Sequence, residues 1–436
     1  MTRSGFAAAL LASVAMAPAN ADERAAVEAQ IEALQARRAR ARVTAAAAVE
    51  RGSKPRSWKL PGTNTSMQLG GYAKLDIIYD LNASSGDTLG ITGLPIDGSA
   101  DGNRQGNFRI HARQSRLWIK TWTPTDWGGM ATVIEADFFG GGGNQLVSNS
   151  NSFRIRKAYG RLGPVLAGQD FSTFYLGPAV GPTIDFNGPS GQVFIRQALI
   201  RYTHSFGGGT SLDIAVENPE TGFVISPGGL AVAGALGPSL DSLPDIVIKL
   251  SHRFSKGYVA LAGLFRRLNV NDGGAAGLSS STFGWGVHFG GVLRFNNKRT
   301  RIGGTVVGGE GLGRYVIQGR TSAILNGTSS VGQSLSAVSS IAGQIWIEHR
   351  WTDTIRTTVI YGRAFTDQAA ANTTGVGGKT GLGALVQDVQ SVHANMLWNP
   401  TPKVEIGLEY MYGFNGVINS ANATAHRIQI GFKYSF

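Results

Sequence analysis

Arg154 and Arg156 stand two residues apart, with Ile155 between them and Phe153 before them. In an extended segment that spacing puts both guanidinium groups on one face, about 7 Å apart along the chain, with Phe153, Ile155 and Tyr159 on the other. A guanidinium fork grips carboxylate or phosphate oxygens bidentately, which a lysine ammonium does not. Two forks at this distance can each hold one end of a short dicarboxylate. Acidic groups recur in the same alternation: Glu135 and Asp137 lie two apart, and Asp76 follows Lys74 by two. Lys74, Arg116, Lys120, Arg196 and Arg266 join Arg154 and Arg156 on the polar faces of extended segments. Basic side chains with acidic neighbours across a narrow space set up a transverse field, and a surplus of arginine there favours anions. The competing reading is that the arginines pair with Glu135, Asp137 and Asp76 and brace a wall.

Other chemistries find little support. The glycine runs Gly140–Gly143 and Gly308–Gly313 do not lead from a strand into a helix, so no phosphate cradle is expected. The seven histidines are scattered and there is no cysteine, so neither a metal site nor a cofactor is expected. Asp76, His111 and Ser115 are the residue types of a hydrolase triad, but His111 falls where the alternation breaks, and no enzymatic activity is expected. A sequence pI of about 10.0 invites a nucleic-acid partner, yet the basic residues are dispersed along strands and form no patch.

The elements that must position these groups are strands. Charged residues make up only 16% of the 436 residues, glycine reaches 61, and aromatics are 9%. That is poor in charge for a water-soluble globule, and beyond the N-terminus no apolar run is long enough for a membrane helix. Residues 1–21 read as a signal peptide, with Arg3, an apolar stretch and Ala19-Asn20-Ala21 as the cleavage site. Residues 22–56 read as a helix and linker: Val27, Ile31 and Leu34 share one face too narrow to bury alone, suited to a short coiled coil. Removing residues 1–56 leaves 31 basic against 23 acidic groups.

From residue 57 to 436 the chain alternates with period two. Met67 to Asp80 is the clearest case, with Leu69, Leu75, Ile77 and Tyr79 on one face and Tyr72, Lys74, Asp76 and Asp80 on the other. About sixteen such segments, each near ten residues, suit tilted transmembrane strands. The phase changes near Arg113, which implies a bulge in the second strand. Aromatics cluster at segment ends: Trp118, Trp122 and Trp127, then Trp346 and Trp351, Trp398, and Tyr410 to Phe414. Tight turns such as Asn296–Lys298 alternate with long polar loops at Leu81–Asn107, Arg314–Ser340 and Thr366–Gln387. The last strand ends on Phe436, the signal that barrel-insertion machinery reads. The expected fold is all-β: an antiparallel transmembrane β-barrel of about sixteen strands in a lipid bilayer, with a short N-terminal helix after a signal peptide. Charges on its strands must face the lumen, because lysine or arginine facing mid-membrane lipid costs about 2–4 kcal/mol. Phe171–Ser190, rich in Gly-Pro pairs and aromatics, reads as a loop folded into the barrel, with Asp185 and Asn187 opposite the arginines.

Several runs carry a family resemblance: Leu60–Ser66 (LPGTNTS) with Leu69–Asp76 (LGGYAKLD), Arg113–Leu117 (RQSRL), Ile134–Phe139 (IEADFF), Arg154–Gly160 (RIRKAYG), Ala167–Gln169 (AGQ), Asp185–Gln192 (DFNGPSGQ) and His393–Asn395 (HAN). As an ordered set spanning the chain they resemble the DcaP-like outer-membrane porins. The resemblance implies a trimer of sixteen-stranded barrels, an N-terminal periplasmic coiled coil, a Gram-negative outer-membrane location and uptake of small anions such as dicarboxylates. A phosphate- or polyphosphate-selective channel is the nearest alternative and would want a longer arginine ladder. The glycine-heavy strands Phe283–Phe295 and Arg301–Gly313 are expected to offer small outward side chains at a trimer seam.

Overall fold

The computed structural model describes residues 21–47, 49–144, 146–225, 241–271, 279–318, 321–326, 334–367, 386–417 and 421–436. The expected signal peptide lies outside them except for Ala21, as do parts of the loops expected at 314–340 and 366–387. Residues 1–68 and 69–436 form two compact units. In the first, helix α1 spans Ala21–Ala47, and Val27 and Leu34 are exposed on it. A short strand, Trp58–Lys59, turns back antiparallel on Ser66 and Met67.

Sixteen strands form the barrel among the described residues. They are β1 (Ser66–Asp80), β2 (Asn107–His111, continued by Arg116–Thr125), β3 (Gly128–Asp137), β4 (Arg154–Leu162), β5 (Val165–Phe171), β6 (Arg196–Gly207), β7 (Thr210–Glu217) and β8 (Asp245–Phe254). The series continues with β9 (Gly257–Asn271), β10 (Ser279–Phe295), β11 (Thr300–Glu310), β12 (Ser339–Arg350), β13 (Ile355–Thr366), β14 (Val386–Thr401), β15 (Val404–Val417) and β16 (Ala423–Ser435). Each pairs antiparallel with its neighbours, and β16 returns to β1 from Tyr72↔Ser435 to Asp80↔Arg427, which closes the sheet. Closure removes the unpaired edge that a membrane would not tolerate. The break expected near Arg113 is present as the gap between His111 and Arg116.

The alternation sorts the faces as the sequence predicts. On β1, Leu69, Leu75 and Tyr79 are exposed outward, while Lys74, Asp76 and Asp80 are buried inside. Two details differ. Trp127, Trp351 and Trp398 are exposed beside the short turns, as girdle residues would be, but Trp346 is buried inside. Trp118 also shares the inward face, since its register partner is Glu135. The loop expected at Arg314–Ser340 contains two strands, Ala323–Asn326 and Ser334–Ala337, which pair with each other and with Phe223–Ile225. Ala323, Leu325 and Leu335 pack there on Leu268 and Val270 of β9.

Candidate functional site

The segment between β5 and β6 folds into the barrel, and Phe174, Leu176 and Ala179 are fully buried on the way across. Its backbone is fastened to the far wall by side chains from four strands. His288 of β10 bonds the Phe174 carbonyl at 2.8 Å, and Trp346 Nε1 of β12 donates to the Ala179 carbonyl at 2.8 Å. Asn395 of β14 donates to the Pro182 carbonyl, while Glu409 of β15 accepts from the amides of Ile184 (2.6 Å) and Asp185 (2.8 Å). His393 holds the other Glu409 oxygen at 3.0 Å. Irregular backbone at membrane depth survives only where every polar group finds such a partner.

Glycines in the wall make the space. A Cβ on Gly431 would stand 2.9 Å from Ile184, one on Gly290 would stand 3.2 Å from Leu176, and one on Gly407 would overlap Ile184. The outward faces of β10 and β11, where a small-residue seam is expected, are mixed. On β10 and β11 the exposed outward side chains Phe283, Trp285, Val287, Phe289, Leu293, Ile302 and Val306 share that face with Gly291, Gly304 and Gly308. The glycines Gly286 and Gly290 look inward, toward Leu312 and the loop residues Phe174 and Leu176.

Opposite the anchored side stands a wall of arginines on β2, β4 and β6. Arg154 is bidentate on Asp137, with both contacts at 3.0 Å. Arg156 bridges Glu135 and Asp137 at 2.8 Å each, and Arg116 Nη1 lies 3.4 Å from Glu135. Phe186 at the loop tip stacks on Phe139 with centroids 4.3 Å apart, and its ring lies under the guanidinium carbons of Arg154 (5.3 Å) and Arg156 (5.5 Å). Arg196 sits over Phe194 (5.7 Å) and Phe171 (6.0 Å). Cation–π contacts of this kind orient a guanidinium plane without cancelling its charge. Four cations therefore meet two carboxylates.

A bulge between Glu135 and Ala136 opposes Lys157 to Glu135 and Tyr159 to Val133. Tyr159 consequently shares the inward face, contrary to a strict two-residue alternation from Phe153, because one extra residue flips the phase. Lys157 takes Asp170 at 3.1 Å, and Arg201 shares that carboxylate.

Other expected site residues are placed differently. Asp185 does not face the arginines: its carboxylate accepts from the Leu89 and Asn187 amides, and it is 3% exposed. Burial pushes its carboxyl up, partly offset by the charges of Arg427 and His393. Asn187 bonds Thr88 and the Leu89 carbonyl, so both residues bracket the inward loop to the loop after β1. The chain alternates through the tip, and Phe186 takes the position facing the wall. Arg266 points inward but is locked on Asp245 and the carbonyls of Gly311 and Glu220. Lys74 lies beneath the loop, on Gln114, the Ile184 carbonyl and Asp76. Lys120 shares the inward face through its register with buried Val133 and lies over Trp118.

Asp76, His111 and Ser115 are near one another, but each is bonded elsewhere: Asp76 to Lys74 and Gln429, His111 to the Asp87 carbonyl, Ser115 to the Lys74 backbone. No triad geometry links them. His288, Trp346 and Glu409, which fasten the loop, carry no local signal in the sequence, because their role appears only once the loop crosses the lumen.

Residues 47–235, which take in the first seven strands and the inward loop, match the DcaP outer membrane protein family. Over those residues the sequence is similar to that family. The crystal structure of the outer membrane channel DcaP of Acinetobacter baumannii is similar at a TM-score of 0.73 and 21% identity, covering 88% of this chain and all of that one. An anion-selective porin from Comamonas acidovorans is similar at 0.53 and 12% identity, over 85% of this chain and 100% of that one. OmpT of Vibrio cholerae in a trimer form is similar at 0.51 and 10%, over 85% of this chain and 99% of that one. No curated protein matches by sequence. Residues 47–235 are thus similar to an outer membrane protein family, and the barrel as a whole has the fold of these porins.

Proposed function

We propose that the protein is a passive diffusion channel that prefers small anions, dicarboxylates among them. The observation that carries this reading is the pairing of an inward loop with an arginine-rich wall. The loop amides occupy Glu409 on the far side, while the facing wall sets Arg116, Arg154, Arg156 and Arg196 against only Glu135 and Asp137. A field of that sign favours anions at the narrowest point. The anion-selective Comamonas porin, with the same type of barrel, is in keeping with it. Reversal potentials across a bilayer in a potassium chloride gradient test the reading. Anion preference supports it, and cation preference overturns it.

The same reading makes residues 1–21 a cleaved signal peptide and α1 a periplasmic helix, with Phe436 as the terminal residue recognised during insertion. It makes the working unit a homotrimer. The Vibrio barrel in trimer form supports that assembly, as does the exposed Val27 and Leu34 stripe on α1, which three copies would cover.

A further inference from the structure

Among the four arginines of the wall, three are already engaged. Arg154 and Arg156 share Asp137, Arg156 and Arg116 share Glu135, and the carboxylate oxygens sit at 2.8 to 3.4 Å from their nitrogens. The forks of Arg154 and Arg156 are filled by wall carboxylates and contribute little further hydrogen bonding to a passing solute, while Arg116 keeps a single ion pair to Glu135 at 3.4 Å. Arg196 differs. Among the described residues it has neither a hydrogen bond nor an ion pair, and its Nη1 is shielded from water with no partner at all. It feels the charges of Arg156, Arg154 and Arg116, which Asp137 partly opposes. A shielded guanidinium nitrogen left unbonded is costly, and a cation so placed with no acid to pair it calls for a functional explanation.

The surroundings say what kind of ligand. Phe171, Tyr175 and Phe194 form a cluster at the root of the inward loop, with Phe171 stacked on Tyr175 at 4.7 Å and edge-on to Phe194 at 5.2 Å. Arg196 lies across Phe171 and Phe194, and Lys157 lies over Phe171 at 4.9 Å. The rings hold the guanidinium plane; of its nitrogens only Nη1 is shielded from water, so the edge formed by Nε and Nη2 stays open to a solute. We propose that Arg196 is the anion seat of this channel: a single oxyanion group, carboxylate or phosphate in chemistry, docks on its unfilled edge, and the rest of the solute lies against the aromatic cluster. The proposal rests on the anion-channel reading and narrows it. With Arg154 and Arg156 occupied, recognition is single-point, so a dicarboxylate gains no second fork over a monocarboxylate of equal length.

The test compares wild type, Arg196→Gln and Arg196→Lys in planar bilayers, reading reversal potential in chloride and current block by butyrate and by succinate. The proposal expects an anion-preferring wild type blocked by both solutes at concentrations within a few-fold of each other. Arg196→Gln should lose most of the preference and weaken block roughly tenfold, the size of one charge-assisted hydrogen bond. Arg196→Lys should keep the reversal potential but still weaken block, since the charge remains and the fork does not. Unchanged block in both variants of an anion-preferring channel overturns the seat and leaves the anion reading standing. A wild type without anion preference overturns both. Should Arg196→Gln fail to insert, Arg196→Lys decides alone: block equal to wild type overturns the seat.

Discussion

Arg154 and Arg156 illustrate how a neighbour's charge redefines a residue. Seen along one strand they are two free forks, and seen across strands they are the cations that neutralise a fully buried Asp137. Breaking a buried pair from one side costs more than the pair itself contributes, because the remaining ion keeps its desolvation penalty. Arg154→Gln combined with Arg156→Gln should therefore destabilise the barrel by about 3–5 kcal/mol, measured as earlier loss of the folded band in heat-dependent electrophoresis. Asp87, in the loop after β1, gives the pH counterpart. Burial alone would raise its carboxyl, but the Arg113 hydrogen bond and the charges of His111, Arg113 and Arg109 hold it below the usual carboxylate range. With the folded value beneath the unfolded one, its contribution is fully present above the unfolded value and is lost as pH falls through the folded one. Protease cleavage within residues 81–106 should accelerate below about pH 4.

At the scale of elements, the inward loop depends on what the wall lacks and on what it offers. Gly407 and Gly431 leave the volume that Ile184 fills. Gly407→Val would push Ile184 out at an overpacking cost of about 1–3 kcal/mol, and the expected readout is a noisier, larger single-channel conductance as the loop loosens. Glu409→Ala removes the acceptor of two loop amides and the partner of His393, leaving three buried donors unpaired at about 1–3 kcal/mol each. It should raise conductance further than the glycine change, with the sixteen-stranded wall intact by circular dichroism. A conductance equal to wild type in both variants would mean that the loop does not set the narrowest point.

For the molecule as a whole, the proposed preference for anions would arise from a local surplus of charge and so must respond to screening. The Debye length falls from about 8 Å in physiological salt to about 3 Å at 1 M, so the anion-to-cation permeability ratio should shrink steeply between those conditions. A ratio independent of salt would point to selection by size instead. Assembly is the other whole-molecule expectation. Native electrophoresis after mild detergent extraction should show a trimer, and deletion of residues 22–50 should weaken it, because the exposed Val27 and Leu34 stripe would have no other partner to lose. Monomers alone in the full chain would count heavily against the trimer.

What the sequence determined by itself was whatever local periodicity encodes. The sixteen strands, the break near Arg113, the inward side of Lys74 and Arg116, and the loop at Phe171–Ser190 were all legible, since alternation, turn residues and aromatic content are properties of adjacent positions. The tertiary structure alone decided which charges are spent and which are free. Asp137 reaches two arginines across a strand boundary, Arg196 reaches no carboxylate among the described residues, and Asp185 turns from the wall toward Leu89 while Phe186 takes its place. It also divided the glycines of β10 and β11, with Gly286 and Gly290 beneath the loop and Gly291, Gly304 and Gly308 on the outward face. The physical reason is the same in each case. Pairing across a closed barrel joins residues far apart in sequence, and the register, bulges included, sets which side chains meet. No pattern within one strand contains that information.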